Sequence, residues 1–345
     1  MARTLTLIAV TTTLAVLAAA AVADEAEPEP SVDDVPEWLF SVGASLSRAL
    51  QGSGLLQSLA TPVISRSECA LAVPESELAM TLRGCTVIAS DTGAESDPRQ
   101  FWGKIACARD SRYHYLESGG DARPEATGTP QEDMALRRLT VFDGDDYYGE
   151  RCELGENNHQ VGPTAFYREG QRRATFISVR LPDDFPLGTE SWQVVMQMKQ
   201  TQPSANGGGT PVLSLEAYAD RWRLRQSDSN GPASDSHELW SGAAQTGTWV
   251  RFAFDVTYSQ DPSIGRVKVY ADLNGDSDFD DSEEQSSTMQ TYTLKVETTG
   301  GDDRISEGDS IPSHLRTGLY HNPEYGCPAP GGCYVDVDNI QVLGG

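Results

Sequence analysis

The segment Trp192–Thr201, WQVVMQMKQT, reads at period two. Alternate residues of a strand point to opposite faces. Trp192, Val194, Met196 and Met198 then share one side, and Gln193, Val195, Gln197 and Lys199 share the other. An apolar side opposed to an amide-and-amine side predicts a half-buried strand with one face on a core. The same texture recurs from about Gln100 onward. RRLTVFDG, TAFYREG, RRATFISVRLP, PVLSLEAYADRWRLRQS, TWVRFAFDVTY, GRVKVYADLNG, TYTLKVETTG and YVDVDNIQVL alternate or run β-branched, with Gly, Pro, Asn and Asp between them. Regular short strands of this kind predict an all-β sandwich or jelly roll. A length of roughly 250 residues suits one such domain. No repeat of about 20–50 residues is visible, which excludes a propeller or solenoid.

The 345-residue chain begins with one arginine, an apolar run and Ala21-Val22-Ala23. That pattern predicts a secretory signal peptide over residues 1–23, the alternative being an uncleaved anchor. Residues 24–97 read as an acidic, Pro-bearing leader followed by a small stapled segment, and residues 98–345 as the β domain. Within the leader region Leu39, Val42, Leu46 and Leu50 recur at helical spacing. No later stretch is long and apolar enough to span a bilayer as a helix, so the mature protein is expected to be extracellular.

Six cysteines fit an oxidising compartment. Short loop closure favours Cys69–Cys85 and Cys327–Cys333, leaving Cys107–Cys152, although six cysteines allow about 15 pairings. No pair of C-x-x-C motifs exists to build a zinc site. The formal net charge of −25 argues against nucleic acid and anionic membranes as partners. A polyanionic substrate would need a local basic cleft, and the protein is expected to act on it as a monomer.

Several polar constellations stand on predicted strands. In Tyr147–His159, YYGERCELGENNH, Arg151 and Glu153 share one face while Cys152 and Leu154 share the core face. Arg221, Arg223 and Arg225 line one face of DRWRLRQ, with Trp222 and Leu224 turned inward. Three guanidinium groups on one face call either for a bound anion or for neutralisation by neighbouring Asp and Glu. HLRTGLYHNPEYGC presents Arg316, Tyr320, His321 and Tyr325. Finally, in DLNGDSDFDDSEE, Asp272, Asn274, Asp276, Asp278, Asp280 and Glu283 fall at the oxygen-ligand positions of an EF-hand-type loop, though Ser277 stands where glycine is usual. With strands on both sides, this predicts a structural calcium loop in a hairpin. The alternative is a solvated acidic turn.

Taken in order, these stretches resemble secreted jelly-roll polysaccharide lyases of concanavalin-like fold, the heparin lyase and glucuronan lyase relatives, with alginate lyases more distant. Alginate-lyase kin carry R-[TS]-E-L, Q-[IV]-H and Y-F-K-A-G-x-Y-x-Q. This chain offers Arg151-Cys152-Glu153-Leu154, Gln197-Met198-Lys199 and Leu315-Arg316-Thr317-Gly318-Leu319-Tyr320-His321-Asn322 in that order. Lys199 replaces the histidine, Arg316 the lysine and Asn322 the last glutamine.

The resemblance implies cleavage of a uronic-acid polymer (glucuronan, heparin- or heparan-like, or alginate-like) by β-elimination. Arg151 and Gln197 would neutralise the uronate carboxylate so that C5 can lose its proton, with Glu153 orienting Arg151. Tyr320 would protonate the leaving oxygen. When the proton and the oxygen leave on the same side, as in glucuronate or mannuronate, Tyr320 can also be the base. In guluronate or iduronate they leave on opposite sides, and His159 or Lys199 must serve. Arg221, Arg223, Arg225, Arg316, His321 and Tyr325 are the further substrate-binding candidates. A glycosidase would need two carboxylates flanking the scissile bond, and none is evident. The standing rival is a non-catalytic carbohydrate-binding jelly roll.

Overall fold

A computed structural model describes residues 70–72, 81–83, 86–91, 98, 101–116, 136–155, 166–201, 209–227, 236–274, 279, 286–298, 305–327 and 330–344. All lie within the unit Arg66–Gly345. The expected signal peptide, leader helix, His159, Cys69 and Cys85 lie outside the described residues, as do Asp276, Asp278, Asp280 and Glu283.

The first strands in chain order are β1 (Ala70–Ala72), β2 (Thr81–Arg83), β3 (Thr86–Asp91), β4 (Lys104–Cys107), β5 (Tyr113–Leu116), β6 (Leu136–Val141) and β7 (Arg151–Gly155). β8 (Arg172–Arg180), β9 (Gln193–Gln200), β10 (Leu213–Tyr218), β11 (Arg221–Ser227), β12 (Ser236–Ala243), β13 (Trp249–Thr257) and β14 (Arg266–Asp272) follow. The last are β15 (Met289–Gln290), β16 (Lys295–Val296), β17 (Ser310–Ile311), β18 (Ser313–His321) and β19 (Cys333–Gly344). A front sheet runs β12-β11-β10-β9-β18-β7-β4, and a back sheet runs β15-β14-β13-β8-β19-β6-β5, with β3 also paired to β19. The pairings are antiparallel, and the arrangement is the expected β-jelly-roll sandwich. Among the described residues no helix is long and apolar enough to cross a membrane.

The two sheets close on one core. Cys152, Leu154, Met196, Met198, Leu215, Trp222 and Leu319 from the front meet Ile177, Val179, Phe252, Phe254, Val269 and Val335 from the back. Trp222 is fully buried and packs edge-on to Phe252 with ring centroids 5.2 Å apart. Burying a large apolar side chain of this kind contributes about 1.5–3 kcal/mol, and such pairs bind front to back.

On the outer face of the back sheet, Asp336 is fully buried and accepts from Arg138 Nε at 2.8 Å and Arg180 Nη2 at 2.5 Å. Asp91 likewise accepts from Trp102 Nε1 at 2.6 Å and from Arg137 Nε and Nη2 at 2.7 Å. This ties β3 into the back sheet. A segment read as part of the N-terminal appendage thus supplies a sheet strand. Cys107–Cys152 joins edge strand β4 to β7, and Cys327–Cys333 closes a short loop before β19.

Two local readings need correction. PVLSLEAYADRWRLRQS is two strands, β10 and β11, joined by a two-residue turn at Ala219–Asp220. Both residues have positive φ, 47° and 63°. That is the backbone twist of a type I′ hairpin, made here without the Asn-Gly or Asp-Gly that would advertise it. In β9, Met196 opposes Leu215 but Val194 opposes Glu216, so Val195 is an extra residue. The bulge reverses parity. Val195 joins the core, whereas Val194 turns outward opposite Tyr320.

Candidate active site

The three motif strands are neighbours, in the order β9-β18-β7. Arg151 lies opposite Tyr320, Gln197 opposite Arg316, and Lys199 opposite His314. Cys152, Leu154, Met196, Met198, Leu315 and Leu319, between these residues in sequence, face the core. The polar set therefore occupies the outer face of the front sheet.

At its centre is Glu153, 1 % exposed. Its Oε2 accepts from Arg151 Nη1 at 3.2 Å, its Oε1 accepts from Gln197 Nε2, and Arg316 Nη1 stands 3.8 Å from Oε2. One buried carboxylate thus holds three side chains from three strands. Removing it would strand buried cations, a far larger effect than losing a surface pair. The Arg151 guanidinium lies over the Tyr320 ring, 3.7 Å from its centroid, and Nη2 donates to the Tyr148 carbonyl at 2.6 Å. Among the described residues its buried Nε has no hydrogen-bond partner. Trp192, expected in the core, instead packs edge-on to Tyr320 at 4.7 Å, because the Val195 bulge carries it to this side.

β18 carries its own irregularity. Thr317 opposes Met196 and Tyr320 opposes Val194, so Gly318 and Leu319 on β18 face Val195 alone. Gly318 has φ +142°, and a Cβ there would run into the Cys152 carbonyl. Only glycine lets the two backbones approach this closely. Arg316 Nε donates to His314 Nε2 at 3.0 Å, which requires that nitrogen to be unprotonated.

Lys199 donates to the Gly209 carbonyl. Its amine is pushed down from 10.5 to about 7, first by burial and then by the positive charges of Arg316, Lys295 and Arg151, with Glu153 opposing. Arg316 is also lowered, chiefly by burial.

The arginine stripe resolves toward neutralisation. Arg223 Nε and Nη2 donate to Glu216 Oε2 at 2.9 and 2.7 Å, Arg225 Nη1 lies 3.5 Å from Glu216 Oε1, and Arg221 pairs with Glu238 at 3.0 Å. Glu216 shares Ser214's face of β10, a parity visible only once the hairpin is recognised. His321 points elsewhere: its Nε2 is 3.0 Å from Glu150 Oε2 and its Nδ1 2.9 Å from the Asn322 carbonyl. Tyr325 sits exposed on the turn after β18. Asp272 is fully buried at the end of β14, opposite Arg251, and Asn274 follows it. Phe279, from the middle of the acidic stretch, is buried with Tyr270 on the outer face of the back sheet. The strand returning against β14 is the short β15, just before the expected TYTLKV.

A family model described as polysaccharide lyase matches residues 117–339, more than half of the chain. Among solved structures, the endo-β-1,4-glucuronan lyase from the fungus Trichoderma reesei is similar with a TM-score of 0.50 at 16% identity, over 74% of this chain and 95% of that one. The marine alginate lyase from Aplysia kurodai gives 0.47 at 11%, over 75% and 100%. At such identities the first likeness speaks to the fold. No curated protein sequence matches the chain.

Proposed function

Since the chain belongs to the polysaccharide lyase family, we propose that its substrates are uronate polymers and that the Glu153-centred cluster cleaves them by β-elimination. Glucuronan, heparin- or heparan-like chains and alginate-like chains are the candidates. The observation that carries the reading is Glu153 holding Arg151, Gln197 and Arg316 together beside Tyr320.

The C5 proton of a uronate is too weakly acidic to leave unless charge can build on the adjacent carboxylate. Arg151 and Gln197 supply donors to that carboxylate in a fixed arrangement, where they act most strongly as the charge develops. The C5–H electron pair forms the C4–C5 double bond, the C4–O bond breaks, and Tyr320 gives its proton to the departing oxygen. On glucuronate- or mannuronate-type residues, where proton and oxygen leave on one side, the Tyr320 oxygen takes the C5 proton as its own hydroxyl proton passes to the leaving oxygen. On guluronate- or iduronate-type residues Lys199 takes it from the opposite side. An amine titrating near 7 is well matched to that task.

Export to the extracellular medium belongs to the same proposal, supported by the two disulfides and the signal-like leader. So does a calcium ion on the Asp272–Glu283 loop. The buried Asp272 and the anchoring of Phe279 on the sheet fit a loop held down at two points, and the ion would neutralise its carboxylates.

The test is ultraviolet absorbance of the unsaturated product over a panel of uronate polymers. Tyr320→Phe should retain binding and lose about 10²–10⁴-fold in turnover, whereas Arg151→Ala should lose both. Near-normal turnover in Tyr320→Phe would refute the assignment of that hydroxyl.

A further inference from the structure

Tyr148 is the most exposed large apolar side chain among the described residues, at 84 %, and its backbone has φ +56°. A lone exposed aromatic needs no explanation. A bulky residue held in the left-handed region does, because that conformation costs about 1–2 kcal/mol and such strain collects at functional sites. The turn carrying it is fixed at many points. Arg112 Nε and Nη2 grip Asp145 at 2.7 and 2.9 Å, the Gly149 amide donates to Asp146 at 3.1 Å, and the Gly144 amide donates to Glu150 at 2.8 Å. The last tie is Arg151 itself, bonded to the Tyr148 carbonyl at 2.6 Å. The exposed ring and the carboxylate-binding arginine form one unit.

That unit borders the reacting tyrosine. A Cβ on Gly149 would sit 3.0 Å from the Tyr320 ring. Tyr147 packs edge-on to Tyr148 at 5.5 Å, and Lys104 Nζ lies 4.9 Å over the Tyr147 ring. Lys104 is opposite Gly155 and so shares the face of Glu153 and Arg151. A pyranose presents a flat C–H face to an aromatic ring, and a uronate adds a carboxylate at its edge. Resting on the uronate reading above, we propose that the Tyr147–Tyr148 turn is a subsite for the pyranuronate ring adjoining the one cleaved. Tyr148 is the stacking platform and Lys104 is the counter-charge to the carboxylate.

The experiment uses Tyr148→Ala in the full chain. Binding is read by affinity electrophoresis through gels containing glucuronan, heparin or alginate, and turnover by product absorbance. Binding should weaken and KM rise by about tenfold, the size of one good ring contact. The effect should shrink on oligomers too short to reach past the reacting residue, and Tyr148→Trp should keep wild-type affinity. If the alanine variant melts early, Tyr148→Asn, which tolerates positive φ, replaces it. Unchanged binding overturns the subsite, and so does a loss in kcat alone, which would make the turn a mere support for Arg151. A wild type that binds but never cleaves, with binding still weakened in Tyr148→Ala, overturns the cleavage reading and keeps the subsite. A wild type that neither binds nor cleaves any of the three overturns both.

Discussion

Replacing Lys199 with methionine should stabilise the protein at low pH and destabilise it at high pH. The amine has an ordinary value of 10.5 and is held at about 7 in the fold, by burial and by the charges of Arg316, Lys295 and Arg151. Between those two values the unfolded lysine carries a proton that the folded one has released, so wild-type stability rises with pH across that window. Below about 7 both states are protonated and the cost of the buried charge is complete, about 5 kcal/mol at 1.36 kcal/mol per unit. At pH 10 less than about 1 kcal/mol of it remains. Methionine removes this cost and also leaves the Gly209 carbonyl without its donor, a loss of about 1–3 kcal/mol at every pH. The variant should therefore be about 2–4 kcal/mol more stable than wild type at pH 6 and less stable at pH 10. Urea unfolding of both proteins at five pH values reads this directly. A stability difference that stays flat from pH 6 to pH 10 would refute the buried-charge reasoning. The same environment leaves about half of the Lys199 amines neutral at pH 7, where an ordinary lysine has about one in 3,000.

Glu153→Gln should lower stability by about 3–5 kcal/mol, since Arg151 and Arg316 lose the charge that compensates them; the urea midpoint reads this, and an unchanged midpoint would count against Glu153 as the organiser. That variant should also move the Lys199 titration further down, because Glu153 is what opposes the shift. If calcium binds the acidic loop, a chelator should lower the melting temperature of the wild type and have no effect on Asp276→Ala; identical melting curves for the wild type with and without chelator would remove the metal.

Much of the fold was legible because strand alternation is written residue by residue. Arg151 and Glu153 do share a face with Cys152 behind them, as period two requires. The reading of WQVVMQMKQT held only from Met196 onward. Nothing in Val194-Val195 signals a bulge, since valine fits either face of a sheet, and the parity of Trp192 fails with it. The β10–β11 hairpin escaped notice because its Ala-Asp turn carries left-handed backbone without the usual glycine. Glu216, which neutralises the arginine stripe, went unseen for the same reason. Tyr148 was visible in YYGERCELGENNH but had no signal of its own. Its exposure and its bond to Arg151 exist only after β7 is placed.

Asp336 bears on how this sandwich finds its pairing. Its two guanidinium partners lie 156 and 198 positions away in sequence, so the chain must close very large loops before either arrives. Such non-local assembly makes for slow folding. In return, the carboxylate acts as a register gauge. Val335 and Val337 on either side of it face the core, so a one-residue slip of β19 would drive the charge inward between the sheets and turn the valines out. Misaligned pairings of the back sheet are thereby penalised heavily, while the native one meets two arginines.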